Sequence, residues 1–231
     1  MKNIVKIYKN VMPEDTRKKY LNMFGKYPNS ILTQSICTDE SVFQLREFLP
    51  LSVAKELNYL HENMIPIITK DFELDKDGIK LDSPKYLKNN VQELITVDKR
   101  IAGMKLPIHR DIPTGDYAGH FGLENGMTSI TISGIFYWND DFDGGELRFD
   151  DPTITKEEDL STEDRLDPNV LKDPFIYKPV AGDFVVFPSH LYHEILEMGL
   201  GERYSSQYFF NRPEQYHISE LPNNHINHAK R

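Results

Sequence analysis

His109-Arg110-Asp111 sets two metal-ligating residue types two positions apart. On an extended chain, residues i and i+2 point to the same face, so the imidazole and the carboxylate can reach one cation. A His-x-Asp pattern arises often by chance and needs a third ligand from elsewhere in the chain. Two histidines compete for that role in Phe187-Pro188-Ser189-His190-Leu191-Tyr192-His193-Glu194. His193 opens an apparent strand, His193 to Leu196, whose backbone can aim it inward. His190 sits in the loop after Pro188 and reads as a loop histidine or a group behind the ligands. His193 is therefore the expected third ligand.

Two histidines and one carboxylate on one face of an ion leave three adjacent positions open. That geometry is diagnostic of non-haem Fe(II) oxygenases, because the open positions accept a chelating cosubstrate and then O2. Ten residues after His193 comes Arg203, in Gly201-Glu202-Arg203-Tyr204-Ser205. A buried arginine can grip a carboxylate through two parallel hydrogen bonds. Ser205 shares the face of Arg203 in a strand and adds a hydroxyl donor. The single cysteine, Cys37, excludes a disulfide framework and any cysteine-based zinc or iron–sulfur site. Any metal must then be held by histidine and carboxylate.

The elements that position these residues fall into two parts that meet near residue 90. Before it the apolar period is helical. Pro13-Glu14-Asp15 followed by Thr16 to Phe24 reads as a helix start with acidic residues in its first turn. Ser41 to Phe48 is a short amphipathic stretch. After Pro50, the residues Val53, Leu57, Leu60, Met64, Ile67 and Ile68 recur at helical spacing and predict a helix with one face on a core. Asp75-Lys76-Asp77-Gly78 predicts a turn. After residue 90 the pattern is that of strands: Thr128 to Trp138, Glu146 to Phe149, Phe175 to Lys178, Asp183 to Phe187, His193 to Met198 and Arg203 to Phe210. Short strands with Gly and Pro turns between them predict an antiparallel sandwich or barrel. Phe136 and Trp138 are expected in the core.

The chain has 231 residues and a net charge of −9, from 36 acidic and 27 basic residues. No nucleic-acid partner is expected of so acidic a chain. No segment is apolar enough to span a bilayer, and the start lacks a signal-peptide core, so a cytoplasmic location is expected. Between Asp150 and Asp173 nine acidic residues stand against Lys156, Arg165 and Lys172, a net −6. This is either a solvated insertion or a lid beside the site. As a lid it would favour a basic or neutral substrate. His120 in the Gly-rich stretch 115–126, and His217, His225 and His228 in the polar tail 213–231, read as loop and tail histidines.

With these pieces in place, the sequence resembles the 2-oxoglutarate- and Fe(II)-dependent dioxygenases, in the branch of prolyl 4-hydroxylase-like domains. The resemblance covers about residues 90 to 212. It rests on His109-x-Asp111, on Tyr137-Trp138-Asn139-Asp140-Asp141-Phe142-Asp143-Gly144-Gly145-Glu146-Leu147, on Pro179-Val180-Ala181-Gly182-Asp183-Phe184-Val185-Val186-Phe187-Pro188-Ser189, and on His193 followed by Gly201-Glu202-Arg203. The spacing of His193 and Arg203 matches the family's spacing between its distal histidine and its cosubstrate-binding basic residue. The resemblance implies a mostly β fold with flanking helices, a double-stranded β-helix or jelly roll. It places residues 1–89 as a helical support, 90–212 as the catalytic core with the acidic insertion 150–173, and 213–231 as a tail, within one domain.

The resemblance further implies that His109, Asp111 and His193 bind Fe(II) and that Arg203 takes the distal carboxylate of 2-oxoglutarate. Tyr137 matches a position whose hydroxyl often touches that carboxylate, with a plain core aromatic as its other reading, and Ser205 is a further candidate. The implied reaction hydroxylates a C–H bond of the substrate with O2 and releases succinate and CO2, with ascorbate as a reductant. Asp111 favours hydroxylation over halogenation, since the related halogenases carry a small residue there. Many prolyl hydroxylases carry tyrosines in the strand before His-x-Asp. The segment Arg100 to Ile108 keeps Gly103 but has no tyrosine. A peptidyl proline, a free amino acid and another small molecule all stand as substrates. The rival readings are a metal-binding cupin-type isomerase, which has no need of Arg203 at its spacing, and a non-catalytic binding protein, which has no need of an intact site.

Overall fold

A computed structural model describes residues 5–26, 33–34, 43–44, 51–77, 81, 97–109, 111, 130–149, 174–189 and 191–211. The strands are β1 (Lys6–Tyr8), β2 (Thr33–Gln34), β3 (Phe43–Gln44), β4 (Asp98–Ile101), β5 (Leu106–His109), β6 (Ile130–Tyr137), β7 (Leu147–Phe149), β8 (Phe175–Tyr177), β9 (Phe184–Pro188), β10 (His193–Ile195) and β11 (Glu202–Asn211). The helices are α1 (Glu14–Phe24) and α2 (Leu51–Asp71). Two antiparallel sheets form. One has seven strands in the order β1-β9-β6-β11-β4-β3-β2, and the other has four in the order β5-β10-β7-β8. This is the jelly-roll architecture expected from the sequence.

Alternation along the strands sorts side chains into two layers. On β6, Phe136 points outward with Trp138 just beyond the strand, while Ile135 and Tyr137 point inward; on β9, Phe184 and Val186 point outward while Val185 and Phe187 point inward. The outward set packs on Tyr20 and Phe24 of α1 and on Leu60, Met64 and Ile68 of α2. Trp138 is fully buried there. Its ring meets Phe24 edge-on at 5.0 Å and Phe136 at 4.9 Å, and its indole N–H donates to Ser206 Oγ at 2.9 Å. Emptying such a site by substitution with alanine costs about 3–5 kcal/mol. Gly134 belongs to the same contact: a Cβ there would lie 2.5 Å from the Phe184 ring. The inward set fills the space between the sheets with Leu106, Leu147, Phe149, Tyr177 and Ile195.

α1 starts as expected, with Pro13 as its N-cap residue and Glu14 and Asp15 in the first turn, where carboxylates oppose the helix dipole. On α2, Leu60, Met64 and Ile68 are buried but Ile67 is 44% exposed. At 100° per residue it stands a quarter-turn away from the fully buried Ile68. The turn expected at residue 75 is a 3-10 segment, Leu74–Asp77.

The part read as helical also supplies strands. β1 pairs with β9, and β3, inside the amphipathic stretch 41–48, pairs with β4. The segment 100–108, which the resemblance sets at the strand before His-x-Asp, contains a turn at Gly103, whose φ is +82°. It divides between β4 in the large sheet and β5 in the small one. Cys37, His120, His190, the insertion 150–173 and the tail 213–231 lie outside the described residues.

Candidate metal centre

β5 and β10 are neighbours in the four-stranded sheet, and their register pairs His109 directly with His193. The two rings lie 4.3 Å apart by centroid. Asp111 follows β5, and its amide donates to the Ser189 carbonyl at 3.1 Å, which ties it to the end of β9. Its carboxylate lies 3.6 Å from His109 Nε2 and 3.8 Å from His193 Nε2. Ligand atoms of the three residues all fall within 4.8 Å of one another. Among the described residues this is the one cluster able to hold a metal ion.

Each histidine is held in the form a metal requires. His109 Nδ1 bonds to the Pro107 carbonyl at 2.8 Å, and His193 Nδ1 to the Leu191 carbonyl at 2.9 Å. A carbonyl only accepts, so Nδ1 carries the proton and the Nε2 lone pair is left toward the centre. Burial pushes the His193 imidazole down to about 4, so it is neutral near pH 7. Burial opposes ionisation of Asp111. The neighbouring His193 and His109 rings and the Ser133 hydroxyl nonetheless hold its carboxyl below the ordinary value.

Arg203 projects from β11 into the same interior. It is fully buried, and all three guanidinium nitrogens lack a hydrogen-bond partner among the described residues. Its guanidinium carbon lies 4.9 Å from the centre of the Tyr137 ring. Tyr137 is fully buried as well, and its hydroxyl makes no hydrogen bond of standard geometry with the described residues. Burial raises its pKa against the pull of Arg203 and Arg100. Tyr137 thus serves the core and stands against the guanidinium at once. Ser205 is buried and pairs with Asp98 on one side and Tyr137 on the other.

The turn before β7 supports this wall. Gly144 and Gly145 have φ of +70° and +66°, and Gly145 N donates to the Glu197 carbonyl at 3.1 Å. A Cβ on Gly145 would overlap Met198 Sδ and lie 3.5 Å from Arg203 Cδ.

Two pairs of residues behind this arrangement were not singled out from the sequence. Asp98 and Arg100 are buried on β4, where their i, i+2 spacing was the available signal. Ser133 and Ser189 join hydroxyls at 2.9 Å across 56 residues of chain, and no local pattern announces such a pair.

The donor set fits the pair that the resemblance implied. Two neutral imidazoles and a carboxylate suit Fe(II) with open positions, and an unsatisfied buried guanidinium suits a carboxylate.

Comparison with known proteins agrees. Residues 99–211 match the 2OG-Fe(II) oxygenase superfamily. That stretch carries a 2OG-Fe(II) oxygenase domain, of the dioxygenase type that uses Fe(II), 2-oxoglutarate and O2. Among solved structures, a prolyl-4-hydroxylase from Pseudomonas putida aligns with TM-score 0.56 at 18% identity, over 90% of this chain and 92% of that one. A prolyl hydroxylase from Trichoplax adhaerens, in complex with a hypoxia inducible factor oxygen degradation domain peptide fragment, aligns with TM-score 0.58 at 13% identity, over 92% and 85%. HygX from Streptomyces hygroscopicus, with nickel and 2-oxoglutarate bound, aligns with TM-score 0.54 at 12% identity, over 92% and 84%. At these identities the likeness speaks for the shared fold. No curated protein matches the sequence at a significant level.

Proposed function

We propose that His109, Asp111 and His193 hold Fe(II), that Arg203 receives the distal carboxylate of 2-oxoglutarate, and that the enzyme hydroxylates a C–H bond of its substrate. The observation that carries this reading is one interior holding both a convergent His-Asp-His set and a fully buried guanidinium without a partner among the described residues. When bound, the metal and its cosubstrate supply the oxidising chemistry, with succinate and CO2 as products. The chain's own residues do the rest. The carbonyls of Pro107 and Leu191 hold the imidazole protons on Nδ1 and turn Nε2 to the ion. Arg203 orients the cosubstrate from its far end, with Tyr137 and Ser205 as neighbouring hydroxyl donors. Phe149 and Phe187, whose rings lie 6.1 and 4.6 Å from that of His193, keep water from the back of the site.

Prolyl peptides are the first substrates to test, since a peptide accompanies one of the structural neighbours, and free amino acids are the second. We read residues 90–212 as the catalytic core and 1–89 as its support, with the acidic insertion 150–173 either a solvated loop or a lid. We place the enzyme in the cytoplasm with neither a nucleic-acid nor a membrane partner. That placement rests on the −9 charge, on the single cysteine, and on the described helices, none of which is long and apolar enough to cross a membrane.

The test is succinate release from 2-oxoglutarate, with Fe(II) and ascorbate, across peptides and amino acids, with mass spectrometry for a gain of one oxygen. Both His109→Ala and Asp111→Ala should abolish turnover, and turnover surviving in both would remove the metal assignment. Millimolar 2-oxoglutarate should also raise the melting temperature of the Mn(II)-loaded protein. A flat response would instead favour a cupin-type metal protein.

A further inference from the structure

The interior holds a second buried guanidinium. Arg100, on β4, is 1% exposed, and the register of β4 with β11 sets it directly opposite Arg203. Directly opposed residues on antiparallel strands project from the same face with Cβ atoms about 5 Å apart. The two cations therefore stand side by side in an apolar interior, where like charges repel more strongly than in water. The charged and titratable groups that act on Arg100 are Arg203, Asp98 and Tyr137. Asp98 is its ion-pair partner, at an N–O distance of 3.9 Å, and Arg100 Nε has no hydrogen-bond partner among the described residues. Among the described residues, one carboxylate, that of Asp98, thus accompanies the two guanidiniums, and the tyrosine, its ionisation opposed by burial, adds no charge. Counted over the described residues, the cluster has an excess of one positive charge, and buried charge of this kind is tolerated where a counter-charge completes it.

We propose that Arg100 and Arg203 together form the receptor for the distal carboxylate of 2-oxoglutarate, so that Arg100 is a cosubstrate-binding residue and not merely the partner of Asp98. The inference rests on the reading of the site given under Proposed function. A monoanionic carboxylate brings the cluster to neutrality. It can accept from both guanidiniums, which supply more donors in fixed planes than either alone. Asp98 then orients Arg100, two residues along the same strand.

The test is calorimetric titration of the full-length, Mn(II)-loaded protein with 2-oxoglutarate and with 2-oxobutanoate, which keeps the keto-acid head and lacks the distal carboxylate. Arg100→Met should weaken 2-oxoglutarate about 10- to 100-fold, the range of a lost charge-assisted hydrogen bond, and leave 2-oxobutanoate within about 3-fold. Arg100→Lys keeps the charge without the planar fork and should lose less, with the same selectivity for the dicarboxylate. If Arg100→Met does not fold, the lysine variant alone decides by that selectivity. Unchanged 2-oxoglutarate affinity, or an equal loss for both ligands, would overturn the inference. The two readings separate cleanly: if the unsubstituted protein shows no dependence on the distal carboxylate, or if Arg203→Met leaves that dependence unchanged, the proposed function falls. If only Arg100 is silent, that function stands.

Discussion

Ser133 and Ser189 bring their hydroxyls to 2.9 Å in a fully buried setting behind Asp111. A Ser133 hydroxyl turned to Asp111 lowers the pKa of that carboxyl, and in that rotamer Ser189 is the donor of the serine pair. The result is a chain of two hydroxyls that fixes the carboxylate facing both histidines. Groups that orient a metal ligand in this way typically contribute 10- to 100-fold in metal affinity. Ser133→Ala should therefore weaken Mn(II) binding about 10-fold, measured by titration of the metal-free protein, while the fold survives. An unchanged metal affinity would show that the β5 backbone alone positions Asp111. The triad was legible in the sequence because His109 and Asp111 sit close together and His193 opens a recognisable strand. Arg203 was legible through its distance from His193. The serines and Arg100 were not, because their roles depend on which strands are neighbours and in what register.

Gly145 acts at the scale of the element. It turns the chain into β7 with a φ of +66°, and its missing Cβ leaves room for Met198 and the stem of Arg203. An alanine there costs about 1–2 kcal/mol of backbone strain and pushes on both side chains. Gly145→Ala should weaken 2-oxoglutarate binding about 10-fold, roughly one charge-assisted hydrogen bond, with Mn(II) affinity unchanged. Loss of both together would mean that the turn fails as a whole. The longer elements were readable from pattern: α1 by its proline and acidic first turn, α2 by its apolar period, β6 and β11 by their β-branched and aromatic content. The two-residue strands β2 and β3 were not, since pairing with a partner defines them and two residues carry no period. The break at Gly103 was missed for a related reason: its amide bonds to the Met198 carbonyl, a contact made far along the chain.

For the molecule as a whole, the buried site ties folding to pH. His193 titrates at about 4 in the folded protein against an ordinary 6.5, chiefly because it is buried, with Asp111 opposing that shift and His109 adding to it. A depressed folded-state pKa means that this stability is present above pH 6.5 and is lost as pH falls toward 4. Asp111 and Glu202, also shifted down, act in the same direction. Denaturant titrations of the metal-free protein should show a loss of at most roughly 3 kcal/mol from His193 between pH 7 and pH 4. A flat profile would place His193 in contact with water when the protein is metal-free. The strand order has a consequence of another kind. The longest strands, β6 and β11, lie inside the large sheet, while the outermost strands of both sheets, β1, β2, β5 and β8, are two to four residues long. Among the described residues, a passing chain seeking to add itself to either sheet meets edge strands of at most four residues, and Lys6 stands on one of them. β1, from outside the matched domain, covers Phe184 to Val186 on the open side of β9. The protein thereby withholds the template on which copies of an aromatic-rich β fold would otherwise aggregate.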